Sequence, residues 1–178
     1  MTAICVFCGS SNGNRPAYLH AARDLGTLLG RQNLRLVYGA ANCGLMVAVA
    51  DATLAAGGTV EGVIPDVIDR MDLTHAQLTQ LHKVGTMHER KALMAEISDA
   101  FIALPGGIGT LDELCEIICW AQLGIHNKPI GLLNTEGYYD GLLTFMHHAV
   151  AEGFMRRSDT DRLIVASEPA ELLARLVR

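Results

Sequence analysis

No block of basic residues occurs anywhere in this chain; the nearest approaches are the pairs Arg156-Arg157 and Arg90-Lys91. Sequence-independent binding to a polynucleotide needs Lys and Arg clustered against several phosphates. With a formal net charge of −5, nucleic acid is not an expected partner. No uninterrupted apolar run approaches the ~20 residues that span a bilayer. The opening MTAICVFCGSSNGNRP has neither the charged start nor the long apolar stretch of a signal peptide. A cytoplasmic protein with no membrane partner is the expectation. Linkers, internal repeats and low-complexity tracts are missing as well. At 178 residues the simplest organisation is one domain, 1–178, able to bury roughly two-thirds of its unfolded surface. Hydrophobic residues make up 50% and charged residues only 19%, a balance that argues against disorder.

The five cysteines, Cys5, Cys8, Cys43, Cys115 and Cys119, form an odd set, which in a reducing compartment implies free thiols. Cys5-Val-Phe-Cys8 has the spacing of a redox or zinc motif. It lies in an apolar run and no second C-x-x-C accompanies it, so buried core thiols are expected. Cys115 and Cys119 share one helical face, and core packing is the default there too, although that face is close in sequence to the motif described below. His75, His88, His147 and His148 lack metal-ligand spacing. Neither a metal nor a cofactor is expected.

The rest of the sequence alternates. Short apolar runs at 3–7, 34–38, 59–64, 81–84, 100–104, 129–133 and 163–165 read as strands, separated by helical patterns at 16–31, 45–56, 87–98, 110–123, 139–152 and 169–177. Apolar strands without polar alternation are buried on both faces. The fold class is therefore α/β, with a central, mostly parallel sheet flanked by helices in three layers. Segment 66–80 is the least regular and is expected to cover one edge of a site.

Ligands of open parallel sheets bind beyond the carboxyl ends of the strands. Three glycine- or serine-rich loops fall there: Cys8-Gly-Ser-Ser-Asn12, Gly39–Gly44 and Gly106–Thr110. The third lies in Pro105-Gly-Gly-Ile-Gly-Thr-Leu-Asp-Glu113. Its glycines allow a ligand to approach the backbone, and a helix expected to begin at Thr110 offers free amides to an anion. Acids beside an anion pocket are the puzzle. Thr110-Leu-Asp-Glu113 also fits a capping box, which by itself accounts for Thr110 and Glu113. Arg90 and Lys91 sit near the start of another helix, where cations oppose the dipole, a placement expected at a functional site.

Together, Met87-His-Glu-Arg-Lys-Ala-Leu-Met94 and Ser98-Asp-Ala-Phe-Ile-Ala-Leu-Pro-Gly-Gly-Ile-Gly-Thr-Leu-Asp-Glu-Leu-Cys-Glu116 closely resemble the LOG ("Lonely Guy") family of cytokinin riboside 5′-monophosphate phosphoribohydrolases. The stretches Trp120–Asn134, Gly137–Asp140 and Phe7–Ser11 are similar to the family as well, so the resemblance covers nearly the whole chain. It implies a Rossmann-like homodimer that hydrolyses the N-glycosidic bond of a nucleoside 5′-monophosphate, a cytokinin nucleotide or AMP, to the free base and ribose 5-phosphate. It further implies Arg90 and Glu113 as the catalytic pair. Ser10, Asp72, Met87, Lys91, Gly106, Gly107, Ile108, Gly109, Thr110 and Glu116 are implied as substrate-binding residues, Asp72 where the family carries Glu. An older label of such sequences, lysine decarboxylase-like, fits poorly: the chain has only Lys83, Lys91 and Lys128 and is short for a pyridoxal-phosphate enzyme. A non-catalytic nucleotide or molybdenum-cofactor carrier of similar fold is the alternative. Departures from the family pattern are Ala40, Ala41 and Val47 in and after the second loop, where the family has small residues or glycine, and Cys119 where threonine is usual.

Overall fold

The computed structural model describes residues 2–69 and 74–177. Seven strands among them form one sheet: β1 (Ala3–Phe7), β2 (Arg35–Tyr38), β3 (Val60–Pro65), β4 (Gln80–Val84), β5 (Ala100–Ala103), β6 (Ile130–Leu133) and β7 (Leu163–Ala166). Every neighbouring pair is parallel, in the order β4-β3-β2-β1-β5-β6-β7. The helices are α1 (Pro16–Arg31), α2 (Gly44–Ala55), α3 (Asp66–Asp69), α4 (Met87–Glu96), α5 (Ile108–Gln122), α6 (Asp140–Ala151), α7 (Arg157–Asp161) and α8 (Pro169–Leu176). This is the α/β, Rossmann-like arrangement expected from the alternation. The short helices α3 and α7 and a 3₁₀ turn at Thr135–Gly137 were not anticipated; elements this short carry too few residues for a periodic signal.

Alternation of side chains divides each strand between two cores. On one face Ile4, Val6 and Cys8 pack with Leu36, Tyr38 and Ile102 against buried residues of α1, α2 and α8. On the other, Ala3, Cys5 and Phe7 pack with Val37, Val63 and Phe101 against α4, α5 and α6. Both cysteines of the C-x-x-C run are thus buried thiols, one in each core. Cys115 and Cys119 depart from expectation and are exposed. The buried stripe of α5 runs through Thr110, Leu114, Ile117, Ile118 and Ala121, and each of the two cysteines lies one residue past that stripe, turned by about 100°.

The chain builds outward from β1 to β4, then returns to place β5 on the other side of β1. This reversal opens a crevice at the carboxyl ends of β1 and β5, the usual ligand position in such sheets. The Gly9 amide donates to the Pro105 carbonyl (3.0 Å), and the Leu45 amide donates to the Gly9 carbonyl (3.0 Å). The three glycine-bearing loops are therefore laced together at that crevice.

Candidate active site

A cavity of about 330 Å³ opens at the crevice, lined by Cys8, Ser10, Gly39, Arg90, residues 107–110 and Glu113, among others. Ile68 of α3 also lines it, so the irregular segment does cover one edge.

Helix α5 begins two residues earlier than the sequence implied. Gly107 is its N-cap, no side chain caps it, and Thr110 is the third helical residue. The Thr110–Glu113 capping box is therefore absent. Thr110 is buried and packs so tightly over Gly106 that a Cβ there would lie 2.1 Å from its Oγ1. Without a cap, the first-turn amides remain free to hold a ligand. Gly107 and Gly109 have no atom within 4 Å of the place a Cβ would occupy, and neither has a positive φ. Neither the packing nor the backbone demands glycine at these two positions. A ligand that must come close to the backbone would.

The loop itself is pinned from behind. The Tyr139 hydroxyl donates to the Leu104 carbonyl (2.5 Å) and the Tyr138 hydroxyl to the Gly106 carbonyl (2.5 Å). Both tyrosines lie in the family-like stretch Gly137–Asp140, but the sequence assigns them no role, because hydroxyl-to-carbonyl bonds between distant segments leave no local pattern.

Helix α4 carries the capping box that α5 lacks. The Thr86 hydroxyl accepts from the Glu89 amide (3.1 Å), and the Glu89 carboxylate accepts from the Thr86 amide (3.1 Å). This fixes Arg90 in the second turn. Its Nε donates to the Val63 carbonyl (3.2 Å) and its Nη1 lies 3.4 Å from Glu113 Oε1. Both side chains are nearly sealed, 7% and 11% exposed. The Glu113 carboxyl is pushed up from 4.5 to about 7, chiefly by burial and against the opposing pull of Arg90. Asp112 and Glu116 push it up and Lys91 pulls it down, each less strongly. A carboxyl that exchanges its proton near neutrality, beside a fixed guanidinium, suits both acid–base work and stabilisation of a cation.

Of the remaining sequence-implied residues, Lys91, Glu116 and Met87 stand beside this pair. Lys91 Nζ bridges Asp112 Oδ2 (3.0 Å) and Glu116 Oε1 (3.2 Å). Burial opposes its charge, but these two hydrogen bonds prevail and raise its pKa. Lys91 and Glu116 thus form a second tie between α4 and α5, behind Arg90 and Glu113. Met87 is partly exposed, with its sulfur 4.0 Å from Arg90 Nη1. Gly106 lies under Thr110 rather than along the cavity. Asp72 falls outside the described residues. His75 is buried and bonded to Asp51 (2.9 Å), whereas His88, His147 and His148 are exposed. Cavity residues that sequence reading did not single out as contacts are Gly39, Cys8, Cys43 and Met46; the first three lie in the two strand-end loops it places at the crevice, and Met46 lies in the first turn of α2.

The fold and the site define a Rossmann-like protein whose anion-ready glycine loop opens toward a buried acid–guanidinium pair. Comparison with known proteins takes this further. Residues 46–176 match a family model described as "Possible lysine decarboxylase". The chain is 53% identical over 175 residues to cytokinin riboside 5′-monophosphate phosphoribohydrolase LOG1 of Arabidopsis thaliana, covering 97% of this chain and 81% of that one. It is 50% identical over 173 residues to a probable enzyme of the same name, LOGL9, from Oryza sativa subsp. japonica, covering 97% and 76%. The chain belongs to this LOG family. Among solved structures, the molybdenum cofactor binding protein of Rippkaea orientalis matches with a TM-score of 0.75 at 24% identity, covering 99% of this chain and 98% of that one; this likeness concerns the fold alone.

Proposed function

We infer that this protein hydrolyses the N-glycosidic bond of a nucleoside 5′-monophosphate, of the cytokinin riboside or adenosine type, to the free base and ribose 5-phosphate. One observation carries the reading: two glycines with open space where a Cβ would sit and a buried acid–guanidinium pair line the same cavity. The loop supplies donors for the phosphate. Glu113, one helical turn farther along α5, meets the sugar. Cleavage of the glycosidic bond builds positive charge on the ribose. Ionised Glu113 stabilises that charge or takes a proton from the attacking water. The acids beside an anion pocket thus serve the opposite end of the substrate. Arg90 holds Glu113 in place and stands ready for a ribose or phosphate oxygen. Lys91 and Glu116 hold the two helices in register.

The decarboxylase label finds no support in the lysines. Lys83 is bonded to Asp69 (2.6 Å), Lys91 to two acids, and Lys128 Nζ to the Ala95 carbonyl (2.7 Å). The pKa values of Lys83 and Lys91 are raised, the reverse of what an amine nucleophile needs.

The enzyme acts in the cytoplasm as a homodimer. Exposed apolar side chains, including Leu123, Phe145 and Phe154, are consistent with a paired surface, and light scattering in solution tests it. None of the helices described is long and apolar enough to cross a membrane. The decisive assay is incubation with AMP and with N6-isopentenyladenosine monophosphate, followed by chromatography. Free base and ribose 5-phosphate are expected, with far slower cleavage of the matching nucleosides. Ligand binding with no base released from any nucleotide would leave the carrier reading in its place.

A further inference from the structure

Gly39, the first residue after β2, is buried and does not have a positive φ. Its conformation therefore permits an L side chain. The space does not: a Cβ at this position would lie 1.7 Å from Arg90 Nη2, 2.9 Å from Arg90 Cζ and 2.7 Å from Met46 Cε. These contacts are with the ends of side chains rather than with backbone, so the fold can survive a methyl group here while the guanidinium cannot keep its place. Arg90 is held by the Val63 carbonyl and Glu113, and the face of Gly39 is where its other terminal nitrogen rests.

We propose that Gly39 is a positioning residue of the hydrolase, kept free of a side chain so that the Arg90 guanidinium can lie against the backbone and meet Glu113. This rests on the catalytic reading of Arg90 and Glu113, but it concerns a contact that can be tested without turnover. The glycines of this site then have separate tasks. Gly107 and Gly109 leave room for a ligand, whereas Gly39 leaves room for a side chain of the protein itself.

The charged groups that act on Glu113 are Arg90 and Lys91 from α4 and Asp112 and Glu116 from α5; the buried thiols of Cys5 and Cys8 at β1, whose pKa values burial and Glu113 push up, stay neutral where it titrates. Of these, Arg90 alone is among the nearest atoms to a Cβ at Gly39. Arg90 lowers the Glu113 pKa, so displacing it raises that pKa, and the acid limb of the pH–rate profile moves to higher pH.

The experiment is a double-mutant cycle of Gly39→Ala and Arg90→Ala, read by thermal unfolding, by the pH profile, and by ¹³C NMR titration of the Glu113 carboxyl assigned with Glu113→Gln. Gly39→Ala is expected to fold, to lose kcat by at least ~tenfold with a smaller change in KM, and to raise the Glu113 titration by roughly one pH unit. In the Arg90→Ala background the same substitution should lower Tm by much less, because only the flexible end of Met46 then has to give way. Equal effects of Gly39→Ala in both backgrounds, or an unmoved Glu113 titration, would overturn the proposal. If Arg90→Ala does not fold, the titration of Gly39→Ala decides alone. Should the wild type cleave no nucleotide, the proposed function fails, while the stability cycle and the titration still judge Gly39.

Discussion

Replacing Glu113 by glutamine should make the protein more stable above neutral pH while removing its activity. The carboxyl is nearly sealed from solvent, and burial is the main reason its pKa stands at about 7 rather than 4.5. An acid whose pKa is raised by folding stabilises the native state only while protonated. Between those two values the native chain holds more protons than the unfolded chain, so stability falls as pH rises and levels off above about 7. At ~1.4 kcal/mol for each pH unit, the full ionisation penalty is about 3 kcal/mol, most of which falls between pH 5 and pH 8.5. Glutamine has nearly the same shape and no such penalty. Urea unfolding of both proteins at pH 5 and pH 8.5, at one fixed protein concentration, should show Glu113→Gln gaining about 2–3 kcal/mol on the wild type across that interval. The other titrating groups are common to both proteins and cancel in the comparison. A stability difference that does not change with pH would refute the argument that this carboxyl is held up by burial. A difference that grew toward low pH would mean that Arg90 dominates and the carboxyl is depressed.

Gly109→Ala should fold at least as well as the wild type, because alanine is favoured over glycine within a helix by about 1 kcal/mol and its methyl group meets open space. The same variant should raise KM for a nucleoside monophosphate; an unchanged KM in steady-state assays would count against backbone contact with the phosphate. Tyr139→Phe removes a buried hydroxyl that donates to the Leu104 carbonyl and leaves that acceptor unpaired. A loss of about 1–3 kcal/mol in urea unfolding is expected. Ala40 has a φ of 62°, a strained value for a residue with a Cβ, so Ala40→Gly should cost no stability by calorimetry. Ala41, which has no positive φ, should lose about 0.5–1 kcal/mol on the same change.

The amino-acid sequence by itself determined the alternation of strands and helices and their two-sided burial, and the motifs around Arg90, the glycine loop and Glu113 carried the family resemblance that implied the reaction. Each of these is written in residues close together in the chain, where apolar spacing and glycine clusters are visible. It placed the three loops at one crevice because strand ends of a parallel sheet converge. The tertiary structure alone decided where α5 begins. Thr110 looked like a cap in the sequence, but it is drawn inward over Gly106, and the helix starts at Ile108. Only the structure showed that Arg90 rests on Gly39, that Lys91 ties α4 to α5 through Asp112 and Glu116, and that Cys115 and Cys119 face outward. These depend on contacts between distant segments, or on the exact rotation of a helix, and neither leaves a trace in local periodicity. The high pKa of Glu113 belongs to the same class: it arises from burial, which exists only once the two helices have closed over the carboxyl.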